Sequence, residues 1–142
     1  MQWAAAPPLD IGRWGFGYAA LGTKMYAVGG HAKCCYGQPG LASVEVFDLE
    51  SFSWSAGPPL ITPRWLTSVA ALDGKLYAVG GCRQDEGPCD LASTEVLDPA
   101  VGQWAAGPAM PSPRYGAGVA TLGSLLYVAG GMHGMAAFNE VL

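Results

Sequence analysis

The sequence is poor in charge. It has 7 Lys and Arg against 11 Asp and Glu, 13% charged residues and a net charge of −4. Nothing supplies the basic stripe that a phosphate backbone needs, so non-specific nucleic-acid binding is excluded. No apolar run approaches the ~18 residues of a membrane helix, and no membrane partner is expected. The start, Met1-Gln2-Trp3-Ala4, has no basic segment leading into an apolar stretch, so no secretory leader is expected. Asparagine occurs once, at Asn139, outside the glycosylation pattern. Four cysteines are too few for a disulfide scaffold. Reduced thiols follow as the expectation, with a cytoplasmic location and the nucleus as its alternative. Apolar residues at helical spacing are missing as well. Glycine (21), proline (11) and hydrophobic residues (51%) are plentiful. That composition suits a folded body of many short strands and tight turns, and 142 residues is one domain's worth of chain.

What is present repeats. Gly29-Gly30, Gly80-Gly81 and Gly130-Gly131 stand 51 and 50 residues apart. Tyr26, Tyr77 and Tyr127 keep that spacing, as do Arg13, Arg64 and Arg114, and Trp3, Trp54 and Trp104. A fixed register over a period near 50 marks an array of similar supersecondary units. Within each unit two apolar runs flank a two-residue turn: Gly22-Thr23, Asp73-Gly74 or Gly123-Ser124. Asp-Gly is a strong hairpin signal, because both positions tolerate positive φ. In the first unit strands are expected at about 15–21, 24–29, 43–48 and 53–56. The second unit repeats them. Gln2-Trp3-Ala4-Ala5-Ala6 reads as the last strand of a preceding unit, and the third unit stops within its third strand. The expected strands thus number one, four, four and three.

The order Pro-Arg, Leu-Tyr-Ala-Val-Gly-Gly, Thr-Glu-Val-Leu-Asp and Trp, best seen between Pro63 and Trp104, resembles the kelch repeat. The resemblance covers almost the whole chain. It implies an all-β fold of about three four-stranded antiparallel β-propeller blades, an incomplete or open propeller. Residues 1–12 would be the end of a preceding blade and a connector, 13–57 and 64–107 two blades, and 114–142 a partial one. Kelch-type propellers usually close with more blades, which leaves three alternatives: a piece of a longer propeller, a head-to-tail pair of chains giving six blades, or a closed three-bladed ring.

The resemblance also implies a protein-binding module, in some members a substrate receptor of ubiquitin-ligase adapters. Its first strands line a central channel, so Arg13, Arg64 and Arg114 would ring one mouth, each followed by an aromatic: Trp14, Trp65, Tyr115. Guanidinium forks suit carboxylates, and Arg with aromatics is typical of binding hot spots, so these six residues are the candidate grip on a protein partner with an acidic peptide or loop. The competing reading pairs each arginine with Glu45, Glu95 or Glu140 and packs the aromatics between blades. Trp3, Trp54, Trp104, Tyr26, Tyr77 and Tyr127, with Gly29, Gly30, Gly80, Gly81, Gly130 and Gly131, are read as blade-packing residues.

Other motifs point nowhere firm. Gly15-Phe16-Gly17 and Gly116-Ala117-Gly118 open strands rather than helices, which discards a nucleotide-binding glycine loop. His31, Cys34, Cys35, Cys82, Cys89 and His133 follow the diglycines, but their spacings match no usual ligand set, so no metal and no cofactor is expected. Lys33 and Arg83 would lower a nearby thiol's pKa. The alternative from another class is a fragment of a kelch-fold enzyme, of carbohydrate-active or copper-radical oxidase type. Two loop-borne histidines and no Ser-His-Asp or paired-carboxylate set argue against it, so the chain is read as no enzyme.

Overall fold

A computed structural model describes residues 2–32, 39–83 and 90–142. It is all-β, with no helix among the described residues. Blade 1 comprises β1 (Gly17–Leu21), β2 (Lys24–Val28), β3 (Val44–Asp48) and β4 (Ser53–Gly57), hydrogen-bonded in that order. Blade 2 repeats it with β5 (Ser68–Leu72), β6 (Lys75–Val79), β7 (Thr94–Asp98) and β8 (Gln103–Ala106). Both sheets are antiparallel meanders, and equivalent residues pair in equivalent register: Tyr26 with Val46, Tyr77 with Val96. The Asp73-Gly74 turn has φ of 50° and 74°, positive at both positions. Leu72 pairs directly with Lys75 across it, as a tight hairpin requires.

Blade 3 differs. β9 (Gly118–Leu122) and β10 (Leu125–Ala129) form the expected hairpin, but β11 (Met132–His133) and β12 (Ala136–Ala137) form a separate small one. The expected third strand is reduced to a single bridge, Ala129 to Val141. Gln2–Ala6, expected as a strand, is not one. The one, four, four and three expected strands are therefore none, four, four and two paired hairpins. The reason is a partner: in blades 1 and 2 the fourth strand pairs with the third, and residues 2–6 meet no third strand in this chain.

The blades pack side by side through their first strands, β1 on β5 and β5 on β9, with no comparable packing of β9 on β1. The ring is open, and the closed three-bladed alternative does not hold. The core lies between the sheets, formed by Tyr26, Val28, Val44, Val46, Leu60, Val69, Leu76, Ala78, Leu97 and Trp104. Complete burial of Leu76 and Leu97 contributes roughly 1.5–3 kcal/mol each.

Tyr26 and Trp104 are buried as expected, and Trp54, Tyr77 and Tyr127 are half-buried. Trp54 and Trp104 donate from Nε1 to the carbonyls of Pro7 and Pro58, both at 2.9 Å, which ties each outer strand to the connector preceding its own blade. Trp3 does not fit its expected role. It is 91% exposed.

Candidate functional site

The three repeated arginines lie where the connectors meet the diglycines. Arg13 donates to the carbonyls of Gly29 (2.8 Å) and Ser43 (3.0 Å) and pairs with Glu45 Oε1. Arg64 makes the same contacts one blade on: Gly80 O at 3.0 Å, Ser93 O at 3.1 Å and Glu95 Oε1 at 2.6 Å. Glu45 also accepts the backbone N–H groups of Asp10 and Ile11, and Glu95 those of Ile61 and Thr62. Each arginine thus ties a connector, the end of the second strand and the start of the third into one network. Burial holds the Arg64 guanidinium below its ordinary pKa, opposed by the charge and hydrogen bond of Glu95.

The third network is looser. Arg114 reaches Gly130 O at 3.0 Å, Ser112 Oγ at 2.7 Å and Glu140 Oε2 at only 3.2 Å, and it lies 4.2 Å over the Phe138 ring. Glu140 does not occupy the place of Glu45 and Glu95. The carbonyl of Glu140 accepts from Gly130, a role that Ser43 and Ser93 fill in the other blades, so the strand is displaced by two residues. The connector contributes as well. Pro111 stands where Asp10 and Ile61 donate a backbone N–H, and proline has none.

All three arginine side chains are 0% exposed. This corrects the expectation that they grip an acidic partner: their Nη groups bond inside the blades, although Nε of Arg13 and of Arg114 has no partner among the described residues. The aromatics beside them fare differently. Trp14 is 43% exposed, while Trp65 and Tyr115 are half-buried. Trp14 and Trp65 meet edge to face with centroids 5.1 Å apart, spanning blades 1 and 2. His31, buried, lies 5.6 Å from the Trp14 ring and 6.0 Å from the Trp65 ring. Backbone pairing fixes all three aromatics against the segments after the diglycines: Trp14 with His31, Trp65 with Cys82, Tyr115 with Met132. Tyr115 also donates its hydroxyl to Gly134 O at 2.8 Å. The first strands line an open cleft of about 320 Å³, bordered by Phe16, Tyr18, Thr67, Ser68, Ala117 and Val119 among others.

The histidines are engaged separately. His31 packs tilted against Trp14 and edge to face against Trp65, and His133 Nδ1 lies 2.6 Å from Asp90 Oδ2, which also accepts the Gly134 N–H at 2.7 Å. Among the described residues no group of three or more His, Cys, Asp and Glu could hold a metal ion. Cys82 is buried and disulfide-bonded, so the expectation of reduced thiols fails at this position. Lys33, Cys34, Cys35 and Cys89 lie outside the described residues. Sequence reading missed Asp90 as the link between the loops of blades 2 and 3, and Phe16 and Tyr18 as channel lining. The alternation of strand β1 could have assigned Tyr18 a face but not its exposure.

The diglycines join the blades. Gly30 N–H donates to Arg64 O and Gly81 N–H to Arg114 O, both at 2.9 Å. At Gly29 and Gly80, with φ of 66° and 60°, an added methyl would fall inside the contact radius of those same carbonyl oxygens. Glycine is required there by conformation and by space.

Comparison with known proteins agrees with this architecture. The Kelch motif matches residues 13–61 and 63–111, together more than half of the chain. The chain is similar to an F-box/kelch-repeat protein of Arabidopsis thaliana, 35% identical over 80 residues, covering 56% of this chain and 20% of that protein. It is 33% identical over 85 residues to Kelch-like protein 30 of Homo sapiens, covering 59% of the chain and 15% of the relative. To Kelch repeat and BTB domain-containing protein 12 of Homo sapiens it is 31% identical over 91 residues, 56% of the chain and 14% of the relative. The chain therefore matches no more than about a fifth of the length of these relatives. With two matched motifs, repeated antiparallel blades and diglycine contacts between them, the chain belongs to the kelch-repeat family.

Proposed function

We propose that this chain is a protein-interaction module whose binding surface is the channel mouth, with Trp14, Trp65 and Tyr115 as its contact side chains. The carrying observation is the contrast between neighbours. Arg13 is consumed within its blade, while Trp14, next in sequence, is held rigidly by His31 and Trp65 and left 43% exposed. A preordered aromatic with one open face loses little entropy on binding and suits a hot spot. With the arginine forks turned inward, the partner segment is one that offers apolar or aromatic side chains rather than carboxylates. In a longer protein the same mouth would serve substrate recognition within a ubiquitin-ligase adapter. The F-box and BTB names of the relatives support that setting.

The test uses phage-displayed random peptides selected on the 142-residue chain. Enriched peptides are expected to bind Trp14→Ala at least about tenfold more weakly, and to bind Val101→Ser, altered at a distant exposed turn, unchanged. Equal affinity for the chain and for a folded Trp14→Ala variant would reject the mouth as the site.

A further inference from the structure

The connectors leading into blades 2 and 3 carry one pattern, Thr62-Pro63-Arg64 and Ser112-Pro113-Arg114. In each, a hydroxyl residue precedes a proline and stands two residues before a buried arginine. Proline pushes the residue before it into extended backbone, the form in which a kinase active site accepts a serine or threonine. The two hydroxyl residues are held differently. The Thr62 N–H donates to Glu95 Oε1 at 2.9 Å, and its carbonyl accepts from Arg64 Nε at 3.4 Å. The preceding Ile61 N–H donates to Glu95 Oε2 at 2.7 Å. Before blade 3, Pro111 has no N–H to give, and among the described residues the Glu140 carboxylate bonds only Arg114. Ser112, half-buried behind exposed Pro111, is tied by its side chain instead: its Oγ accepts from Arg114 Nη2 at 2.7 Å. An accepting hydroxyl keeps its own proton available to a base.

Arg114 is also short of negative charge. Arg13 and Arg64 face carboxylates 5% and 4% exposed, whereas the Glu140 side chain is 56% exposed and 3.2 Å away. Arg114 Nη2 therefore lies closer to a neutral hydroxyl than to its counterion. In blade 2 the equivalent Nη2 has a carboxylate oxygen at 2.6 Å. Nε of Arg114 is buried with no partner among the described residues. A buried guanidinium with a loose acid and an unused donor is an incomplete anion site, and Ser112 Oγ is the oxygen nearest its centre of charge on the connector.

We propose that Ser112 is a phosphorylation site for a proline-directed kinase, and that the Arg114 guanidinium binds the phosphoryl group once it is attached. Ser112 Oγ attacks the γ-phosphorus of ATP. The Oγ–P bond forms, the bond from that phosphorus to the β,γ-bridging oxygen breaks, and its electron pair leaves with ADP. The hydroxyl proton passes to the kinase's base. The product carries a charge of about −1.5 to −2 and three strong acceptor oxygens. They sit on the very atom that Arg114 Nη2 already bonds, so charge-assisted hydrogen bonds replace one to a neutral oxygen, and Glu140 is released to water. The inference rests on the connector and its arginine and stands apart from the binding role of the mouth.

Incubating the folded chain with a MAP-kinase-class enzyme and Mg-ATP, and locating phosphate by tandem mass spectrometry, tests the site. Ser112 is expected to be modified at least about tenfold faster than Thr62, whose segment must first open away from Glu95. Ser112→Ala should lose that phosphate and keep the sheet signature in circular dichroism. Phosphorus-31 NMR of the modified chain tests the arginine's part. The second ionisation of the phosphate should fall about one pH unit below its midpoint in the same chain unfolded in urea, because a guanidinium beside it favours the dianion. A folded chain that takes no phosphate on Ser112, or equal modification of Thr62, would overturn the site. Equal midpoints in the folded and unfolded chains would overturn the binding by Arg114.

Discussion

Arg64 Nη2 and Glu95 Oε1 lie 2.6 Å apart with side chains 0% and 4% exposed, and among the described residues neither charge has another counterion. Removing one partner leaves the other buried and uncompensated, which costs roughly 3–5 kcal/mol. Arg64→Ala is therefore expected to lower the unfolding free energy by that amount in urea titration. Arg114→Ala should cost clearly less, because Glu140 is 56% exposed and can be rehydrated. Equal losses would contradict the distinction between the tight and loose networks.

The diglycine contact is separable from backbone strain by comparing two equivalent glycines. Gly80 and Gly130 have φ of 60° and 64°, so alanine at either pays a similar conformational cost, about 1–2 kcal/mol. Only at Gly80 does the methyl also meet the carbonyl of Arg114, whereas at Gly130 its nearest neighbour is Phe138 O at 3.4 Å. Thermal unfolding should show Gly80→Ala the more damaging by at least about 1 kcal/mol.

Tryptophan position three of the series supplies an internal control. Trp104→Phe removes the 2.9 Å bond to Pro58 O and should cost about 1 kcal/mol. Trp3→Phe touches a side chain open to solvent and should leave stability within about 0.5 kcal/mol of the unaltered chain.

At the opposite end of the blade from the mouth, Lys24 Nζ and Asp48 Oδ2 meet at 2.6 Å on the surface. The hydrogen bond from Lys24 holds the Asp48 carboxyl below its ordinary range, helped by the Glu50 N–H, and Asp48 raises the Lys24 ammonium. The sign follows for each group. What Asp48 adds to stability is present above the ordinary carboxylate pKa and is lost as pH falls through its lowered value. What Lys24 adds is lost as pH rises through its raised value. A carbon-13 NMR titration should show the Asp48 midpoint move upward in Lys24→Ala, yet stay depressed by the Glu50 N–H.

Much of this fold was legible because its determinants are local and repeated. The Asp73-Gly74 turn, the alternation after it and the diglycine recur at one spacing, and strand bounds in blades 1 and 2 fall within about two residues of those expected from the residues alone. Glu45 and Glu95 were legible as arginine partners, since they sit at the same place in two full repeats. Glu140 was not: the shorter segment after Gly131 changes the register, and spacing from the diglycine carries no information about which carbonyl Gly130 will choose. Pairing with glutamate was one of two readings of the arginines, the other a grip facing solvent, and the residues alone did not decide between them, because burial depends on how the connector crosses the strand ends. Trp3 looks like Trp54 and Trp104 in sequence, yet it is exposed where Trp54 is half-buried and Trp104 buried.

The repeated arginines close the blades from within, and the proposed recognition falls to the aromatics at the mouth. NMR of the guanidinium groups reads this directly, because a buried, multiply bonded fork rotates slowly and exchanges its hydrogens slowly. Arg13 and Arg64 should show separate, protected Nη–H signals at neutral pH, while exposed Arg83 should show averaged, rapidly exchanging ones. Averaged, unprotected signals from Arg64 would place its fork in solvent and contradict the account.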